Sequence, residues 1–233
     1  MATIKKIQGK IISVKDLTPT AREITISLEK PLEFIAGAFV NVFLPHEGEK
    51  IRRAFSISSS DTEQNQISLS IRLKPDGKVT PLFWQNDYTD TELEIMGPLG
   101  FNTADKMTSE NIYLFGFGIG AGVVKSLAEN LITRPNLKNL TIITGNRSED
   151  EIIYKDFFDN FSIKHPNVNI QYVLTKPITT KYPTGYIQNH ISDLNFNDSD
   201  VYICGQKTAC DALQETIKTT TPINCNFFVE DFH

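Results

Sequence analysis

A glycine-rich segment near the middle of the chain has the composition needed to bring backbone close to a phosphate group. Gly116-Phe-Gly-Ile-Gly-Ala-Gly122 follows a short apolar run and precedes a stretch with helical apolar spacing. In such a loop the glycines let the backbone approach a diphosphate, and the helix N-terminus supplies N–H donors and a positive dipole. Gly116, Gly118 and Ala121 match the spacing of a dinucleotide-binding loop. A tight strand-to-helix turn without a ligand has the same pattern.

A second segment bears on which nucleotide such a loop would hold. Thr144-Gly-Asn-Arg-Ser148 follows the next apolar strand, where nucleotide folds contact the ribose of the adenosine. A guanidinium and a hydroxyl fit a 2′-phosphate, so Arg147 and Ser148 favour NADPH. The neighbouring Glu149 and Asp150 keep NADH as an alternative. The other interpretation is an exposed arginine beside a helix whose N-cap is Ser148.

The first half of the chain contains a compact cluster of groups suited to a phosphorylated planar ligand. In Arg52-Arg-Ala-Phe-Ser56 a strand would place Arg53 and Phe55 on one face and Ser56 on the other. An arginine can hold a phosphate, an aromatic ring can flank a planar ring, and a serine hydroxyl can reach a ring nitrogen. For this segment in isolation, an ordinary exposed arginine beside a half-buried strand is the favoured interpretation.

A further anion site is indicated by Gly77-Lys-Val-Thr80, which precedes a helical stretch over about 80–86. We expect Thr80 to cap that helix and to donate to a phosphate. A hairpin turn that runs into a capped helix is the alternative interpretation.

The cysteines limit the metal chemistry that is available. The chain has three of them and no CxxC pair, so we expect neither a disulfide framework nor a metal site with four cysteine ligands. The four histidines share no metal-ligand spacing, and we predict no metal site. Cys204-Gly205 ends a late strand at the edge where ligands of open α/β sheets bind, although cysteine is more often core filler.

The elements that must position these residues divide into two halves. The first contains six short, often alternating strands separated by Gly, Pro, Asp and Asn, which predicts an antiparallel β-barrel or sandwich. In the second, strands alternate with helices, one of them expected over 151–161, which predicts a parallel sheet covered on both faces. We therefore predict two domains, a six-stranded antiparallel barrel over 1–102 and an α/β nucleotide-binding domain over 103–233.

Composition and charge exclude several classes of protein. The net charge of −5 comes from 23 basic and 28 acidic side chains without long runs, which offers no concentrated basic face for nucleic acid. We find no secretory signal and no apolar run near the ~20 residues that span a bilayer. We expect a cytoplasmic protein without nucleic-acid or membrane partners, and free thiols fit a reducing compartment.

Taken in order, these motifs resemble the ferredoxin–NADP reductase superfamily over nearly the whole chain. Arg53-Ala-Phe-Ser56 is similar to its flavin-binding Arg-x-(Tyr/Phe)-Ser, Gly77-Lys-Val-Thr80 to its Gly–(Ser/Thr) diphosphate motif, and Tyr202-Ile-Cys-Gly205 to its Tyr-x-Cys-Gly. Pro98-Leu-Gly-Phe101 looks like the end of its barrel, and Glu230-Asp-Phe232 like its carboxyl-terminal Glu-x-(Phe/Tyr).

The resemblance implies a role for individual residues. Those implied to bind FAD are Arg53, Ala54, Phe55, Ser56, Gly77, Lys78, Val79, Thr80 and Phe232. Those implied to bind NAD(P)H are Gly118, Ile119, Gly120, Arg147, Ser148, Cys204 and Gly205. Ser56, Cys204 and Glu230 are the implied catalytic residues, Ser56 near flavin N5 and Cys204 beside the nicotinamide. The chain departs from the family where Ile119 replaces threonine and Val123 replaces proline, which weakens the expected contact with the nicotinamide.

The resemblance also implies an activity, a flavin-dependent transfer of hydride from NADPH or NADH to FAD. Because three cysteines cannot hold a four-cysteine iron–sulfur cluster, we expect electrons to leave for a separate acceptor, a ferredoxin or a flavodoxin. The alternatives are a reductase component that feeds an oxygenase or reduces free flavin, and a flavin-binding redox sensor without turnover.

Overall fold

The computed structural model describes residues 3–220 and 224–232. Two sheets organise these residues, a six-stranded antiparallel sheet followed by a five-stranded parallel sheet flanked by helices. The predicted two-domain fold class is therefore confirmed. The boundary at residue 102 stays a prediction, and the predicted domains also include residues 1–2, 221–223 and 233, which lie outside the described residues.

The first sheet curls so that its two edge strands meet. Its strands are β1 (Lys5–Thr18), β2 (Ala21–Leu28), β3 (Phe39–His46), β4 (Glu49–Ser56), β5 (Gln66–Arg72) and β6 (Glu92–Leu99), in the order β4-β3-β6-β1-β2-β5. An isolated bridge between Ile57, just after β4, and Leu69, in the middle of β5, joins the two edge strands, and the N–H of Ser58 donates to Ser68 O at 2.8 Å. This seam carries the Ser56 end of β4 to the surface that faces the second sheet.

The second sheet presents all its carboxyl ends along one edge. Its strands are β7 (Asn111–Phe117), β8 (Asn139–Asn146), β9 (Val168–Leu174), β10 (Ser199–Gln206) and β11 (Cys225–Phe232), all parallel and in the order β11-β10-β7-β8-β9. Residues 199–205 of β10 are all buried, as expected for a strand covered on both faces.

Helices cover both faces of the parallel sheet. They are α2 (Ala121–Leu131), α3 (Lys155–Lys164) and α4 (Lys207–Thr220), while α1 (Leu82–Gln85) is a single turn in the first domain. The hydrophobic cores show which helices cover which face of the sheet. Leu127 of α2 and Phe158 of α3 pack on one face, and Leu213 of α4 packs on the other. Of the helices in the described ranges, none combines the length and the apolar character required to cross a membrane.

The third helix begins later than the sequence suggests. The expected helix over 151–161 is wrong at its start, because Glu149–Glu151 forms a 3₁₀ turn and Tyr154 has a left-handed backbone with φ of 57°. The reason lies in the other domain. The side chain of Glu151 accepts hydrogen bonds from the first sheet, and the hydroxyl of Tyr154 donates to Glu23 at 2.6 Å. These contacts hold the segment outside a helix.

The two domains meet through a buried carboxylate. Thr20 Oγ1 donates to Glu151 Oε2 at 2.6 Å, Thr18 Oγ1 donates to the same oxygen at 3.2 Å, and Arg72 Nη2 lies 3.5 Å from it. A further contact comes from α2, where Ser126 Oγ donates to Ser59 O at 2.7 Å. Because these bonds are directional, they fix how the carboxyl edge of the parallel sheet faces the barrel.

Candidate functional site

A cleft of about 1160 Å³ lies between the curled sheet and the carboxyl edge of the parallel sheet. This volume lies just above the roughly 300–1000 Å³ of ordinary small-molecule sites. Eight of the site residues predicted from the sequence line the cleft, namely Ala54, Phe55, Ser56, Thr80, Gly118, Ile119, Glu230 and Phe232. The expected residues that do not line it are Arg53, Gly77, Lys78, Val79, Gly120, Arg147, Ser148, Cys204 and Gly205.

One hydrogen-bonded chain crosses the cleft from one domain to the other. Ser56 Oγ, at the end of β4, donates to Glu230 Oε1 at 2.9 Å, and Tyr202 Oη donates to Glu230 Oε2 at 2.7 Å. Burial raises the pKa of the Glu230 carboxyl, and the hydrogen bonds from Tyr202 and Ser56 oppose that rise. The carboxyl therefore holds a proton more readily than an exposed glutamate does.

Cys204 lies behind the wall of the cleft. It is fully buried in the core of the parallel sheet, in register with Glu230 on β11. Burial raises the pKa of its thiol well above the usual range, and the neighbouring Glu230 charge adds to the effect. The thiol is therefore neutral and is no candidate for a nucleophile. Its expected place beside the nicotinamide stays a prediction.

The glycines of the central loop have different tasks. Gly118 has a left-handed φ of 53°, and a Cβ there would lie 2.5 Å from Nη1 of Arg72, so the residue combines an unusual backbone with a close approach between domains. A Cβ on Gly120 would lie 2.3 Å from the carbonyl oxygen of Cys204. The tight turn that was the alternative interpretation thus explains Gly120, whereas Gly118 faces the cleft.

The expected helix cap at Thr80 is wrong. The helix α1 begins after Pro81, with no side-chain cap bond from the described residues, and Thr80 Oγ1 instead accepts from the N–H of Lys74 at 2.9 Å. This hydrogen bond closes the loop that precedes the helix. Val79 is buried in the core of the barrel, so only its backbone could contact a ligand. Thr80 still lines the cleft and could donate its hydroxyl proton to a phosphate.

Arg53 contributes less to the cleft than the sequence predicted, and Arg72 contributes more. Arg53 is exposed, and its Nη1 donates to the carbonyl of Arg52 at 2.8 Å rather than pointing into the cleft. Arg72, the last residue of β5, lines the cleft beside Gly118 and was missed by the sequence reasoning. The sequence does contain one signal, a basic residue at the end of β5. It does not show that β5 lies beside β4, the strand that carries Ser56.

The residues expected to contact a 2′-phosphate lie just outside the cleft. Arg147 is exposed, and its carbonyl accepts from the N–H of Lys176 at 2.8 Å. Ser148 Oγ donates to Asp150 Oδ1 at 2.6 Å. The alternative in which Ser148 caps a helix is not observed, since no side-chain cap bond is made at the turn that follows it in the described chain.

The donors and acceptors of the cleft fit two dinucleotides. Arg72 and Thr80 offer donors for phosphates, while Phe55 and Phe232 offer apolar walls for planar rings. Within residues 3–220 and 224–232, just two buried side-chain polar atoms lack a hydrogen-bond partner, Asn146 Oδ1 and Gln188 Oε1. Both residues line this cleft, but the two oxygens themselves are buried and are not exposed to it.

Family models match both halves of the chain. Residues 8–103 match the oxidoreductase FAD-binding domain, and residues 114–215 match the oxidoreductase NAD-binding domain. These matches agree with the FAD and NAD(P)H expected from the sequence.

Curated relatives share a low identity over most of the chain. The reductase component of phenol 2-monooxygenase from Pseudomonas sp. (strain CF600) is 25% identical over 99% of this chain and 66% of its own length. The toluate 1,2-dioxygenase electron transfer component of Pseudomonas putida is 24% identical over 97% of this chain and 67% of its own. The chain thus spans about two thirds of the length of these relatives.

Solved structures share the whole fold. Amycolatopsis cytochrome P450 reductase GcoB superposes with a TM-score of 0.87 at 21% identity, covering 99% of this chain and 72% of that one. A ferredoxin NADP⁺ reductase from Neisseria gonorrhoeae with bound FAD and NADP gives a TM-score of 0.84 at 19% identity over 99% of both chains. At these identities the likeness establishes a common architecture.

Proposed function

The chain belongs to the ferredoxin–NADP reductase superfamily, and from this membership we propose that it transfers electrons from NAD(P)H through FAD to a separate acceptor. One observation supports the proposal most directly. Ser56 of the FAD-binding domain and Glu230 of the NAD-binding domain share a hydrogen bond of 2.9 Å within the common cleft. In this proposal the two cofactor sites open onto one space, as a transfer between their rings requires.

The residues of the first domain would hold FAD. The backbone of β4 at Ala54, the ring of Phe55 and the hydroxyl of Thr80 line the cleft on this side. We assign Arg53 and the segment 77–80 to the diphosphate, in keeping with the family motifs. When bound, FAD would take up a hydride from the reduced nicotinamide and release the electrons singly.

Ser56 and Glu230 would hold and orient a proton where the two domains are in contact. The Ser56 hydroxyl can accept from one partner and donate to another, so it can orient a ring nitrogen while it stays bonded to Glu230. Glu230 holds its proton more readily than usual because it is buried, and Tyr202 orients the carboxyl through its second oxygen. Phe232, two residues later, would help to exclude water from the cleft.

The residues of the second domain, with one arginine from the first, would hold NAD(P)H. Gly118 and Ile119 present backbone to the cleft, and the guanidinium of Arg72 lies beside Gly118, where a diphosphate would need a cation. Arg147 remains our candidate for the 2′-phosphate of NADPH. Cys204 would act as a neutral, buried support beneath the nicotinamide site.

We further propose that the acceptor is the catalytic component of an oxygenase. The named relatives favour it over the ferredoxin or flavodoxin expected first, since they are a phenol 2-monooxygenase reductase component and a toluate 1,2-dioxygenase electron transfer component. Other relatives, among them a ferredoxin–NADP reductase of Sorangium cellulosum, keep a small redox protein as the second candidate.

The proposal is tested by spectroscopy on the purified protein. We expect a yellow protein with flavin absorbance that bleaches when NADPH or NADH is added without oxygen and returns when an oxygenase component or ferredoxin is added. Flavin that stays oxidised with both nucleotides would point to the redox-sensor alternative. A colourless protein that takes up no added FAD would contradict the proposal as a whole.

A further inference from the structure

The first turn of α2 packs directly on the seam between β4 and β5, with no side chain of its own at the point of contact. Gly122, the second residue of the helix, is buried, and Ser58 and Ser70 of the first domain lie against it. A Cβ on Gly122 would overlap Ser70 Oγ and would lie 3.0 Å from Ser70 Cβ and 3.3 Å from Ser58 Cβ. Because carbon atoms in contact are normally about 3.5–4.0 Å apart, this close approach requires a glycine.

Rotation of a serine side chain would not make room for a larger residue. Ser58 and Ser70 are both buried, and the hydroxyl of Tyr154 lies 3.2 Å from Ser58 Oγ and also interacts with Ser70. The Cβ atoms of the two serines do not move when their hydroxyls rotate, and the backbone of Ser58 is itself bonded across the seam to Ser68. A side chain at position 122 would therefore displace α2 from the seam.

Two further residues hold the same face of α2 on the seam. Lys125 Nζ donates to Ser58 O at 3.2 Å, and Ser126 Oγ donates to Ser59 O at 2.7 Å. Positions 122, 125 and 126 are three and four residues apart, so they lie on one face of the helix. These hydrogen bonds attach α2 to the first domain, and the missing side chain at Gly122 determines how closely the helix approaches it.

The two elements that meet at Gly122 also carry opposite walls of the cleft. On the barrel side, the seam carries Ser56 and Arg72, each two residues from one of the two serines and each lining the cleft. On the other side, Gly118 lines the cleft four residues before Gly122, in the loop that leads into α2. Gly122 itself is buried outside the lining of the cleft. The contact at Gly122 therefore sets the separation of the two walls.

We propose that Gly122 is a positioning residue for hydride transfer, because its missing side chain lets α2 approach the serines closely enough for the two cofactors to meet. The inference rests on the proposed function, which places a flavin on one wall and a nicotinamide on the other. Transfer between two rings depends steeply on their separation, and a displacement of about 1 Å can lower a rate about 100-fold. A contact outside the cleft can thus control the rate without touching either cofactor.

Gly122→Ala tests the proposal, with changes at Ser70 as compensation. Anaerobic stopped-flow absorbance over a range of NADPH and NADH concentrations separates the limiting rate of flavin reduction from the apparent nucleotide Kd. We expect Gly122→Ala to lower the limiting rate about 10–100-fold and to leave the Kd within about 3-fold, since the loop that binds the nucleotide moves as a unit. Adding Ser70→Ala should restore part of the rate, and adding Ser70→Gly, which also removes the Cβ, should restore most of it.

Thermal unfolding provides a readout that needs no turnover. Alanine is the better helix former, so Gly122→Ala would raise the Tm if the site had room, whereas we expect it to lower the Tm. Ser70→Gly should lower the Tm of the wild type, where it opens a cavity, and raise it in the Gly122→Ala background, where it removes the overlap.

Gly48→Ala is the matched control for loss of stability alone. A Cβ on Gly48 would meet no described atom within 4 Å, but the residue has a left-handed φ of 82°, so its replacement strains the backbone far from the contact between the domains. We expect this variant to have a lower Tm than the wild type and an unchanged rate of flavin reduction.

The outcomes separate this inference from the proposed function. A Gly122→Ala variant reduced at the wild-type rate overturns the positioning role, and so does a Tm that Ser70→Gly lowers equally in both backgrounds. If Gly122→Ala does not fold, the double variant with Ser70→Gly should recover a folded yellow protein, and its failure to do so also overturns the inference. A wild-type flavin that neither nucleotide reduces would contradict the proposed function, whereas the Tm comparison would still show whether Gly122 spaces the two domains.

Discussion

Ser56 and Glu230 are 174 residues apart in the chain, yet their side chains are joined by a hydrogen bond of 2.9 Å. The first ends a strand of the antiparallel sheet, and the second lies on the edge strand of the parallel sheet. Neither domain alone contains the pair. The proton-carrying part of the site therefore exists only when the domains are correctly docked, and it is the best place to test the proposed reaction.

Replacing Ser56 tests whether this hydroxyl assists transfer to the flavin. We expect Ser56→Ala to retain its flavin absorbance but to be reduced by NADPH about 10–100-fold more slowly, because an oriented donor is lost. Stopped-flow absorbance measures the rate directly. Ser60→Ala, on a turn outside the cleft, should match the wild type. An unchanged rate in Ser56→Ala would remove the hydroxyl from the mechanism.

Replacing Glu230 tests the pKa of a buried carboxyl. Because its pKa is raised from 4.5, the folded protein keeps a proton that the unfolded chain releases, so the contribution of Glu230 to wild-type stability falls as pH rises from 4.5 through the folded pKa. Glu230→Gln does not titrate. Its Tm minus that of the wild type should therefore increase across this window and stay constant above it. Thermal unfolding as a function of pH measures the difference.

Replacing Glu151 tests the contact that docks the domains. Glu151→Ala leaves Thr18, Thr20 and Arg72 facing a space without their acceptor. We expect a loss of about 2–4 kcal/mol in the free energy of unfolding, measured with urea. Exposed Glu149→Ala, two residues earlier, is the control. Equal stability of the two variants would mean that docking depends on the other contacts.

Replacing Arg147 tests the choice between the two nicotinamide nucleotides. We expect kcat/KM for NADPH to fall about 10-fold in Arg147→Ala and that for NADH to stay within about 2-fold, since only NADPH carries the 2′-phosphate. Steady-state kinetics with both nucleotides and a dye acceptor suffice. Lys164→Ala removes an exposed cation from the end of α3 as a control. A parallel fall for both nucleotides would contradict a role in selecting the phosphate.

Much of the architecture could be predicted because local patterns determine it. Strand–helix alternation and buried apolar strands indicated the parallel sheet, and short alternating strands indicated the barrel. The helix after β8 was placed too early because Glu151 and Tyr154 are held by the other domain, at separations of more than a hundred residues. A local pattern contains no information about such contacts.

The same limit applies to the candidate site. Motifs located Ser56 and Glu230, but their hydrogen bond is a property of domain docking. Arg72 can be identified as a site residue only from the structure, in which β5 lies next to β4 and the Arg72 side chain lies beside Gly118. Thr80 has the residue type of a cap, yet its oxygen is taken by Lys74, a choice that depends on loop geometry.

The distance along the chain between Ser56 and Glu230 also orders events during synthesis. At about 5–20 residues per second, a ribosome needs roughly 9–35 s to add the 174 residues that separate them. All strands of the barrel have been made well before β11 begins, so the FAD-binding domain can fold first on the nascent chain. Until β11 is made, this domain lacks its contact with Glu230. A newly made protein could therefore bind its flavin before that flavin can be reduced.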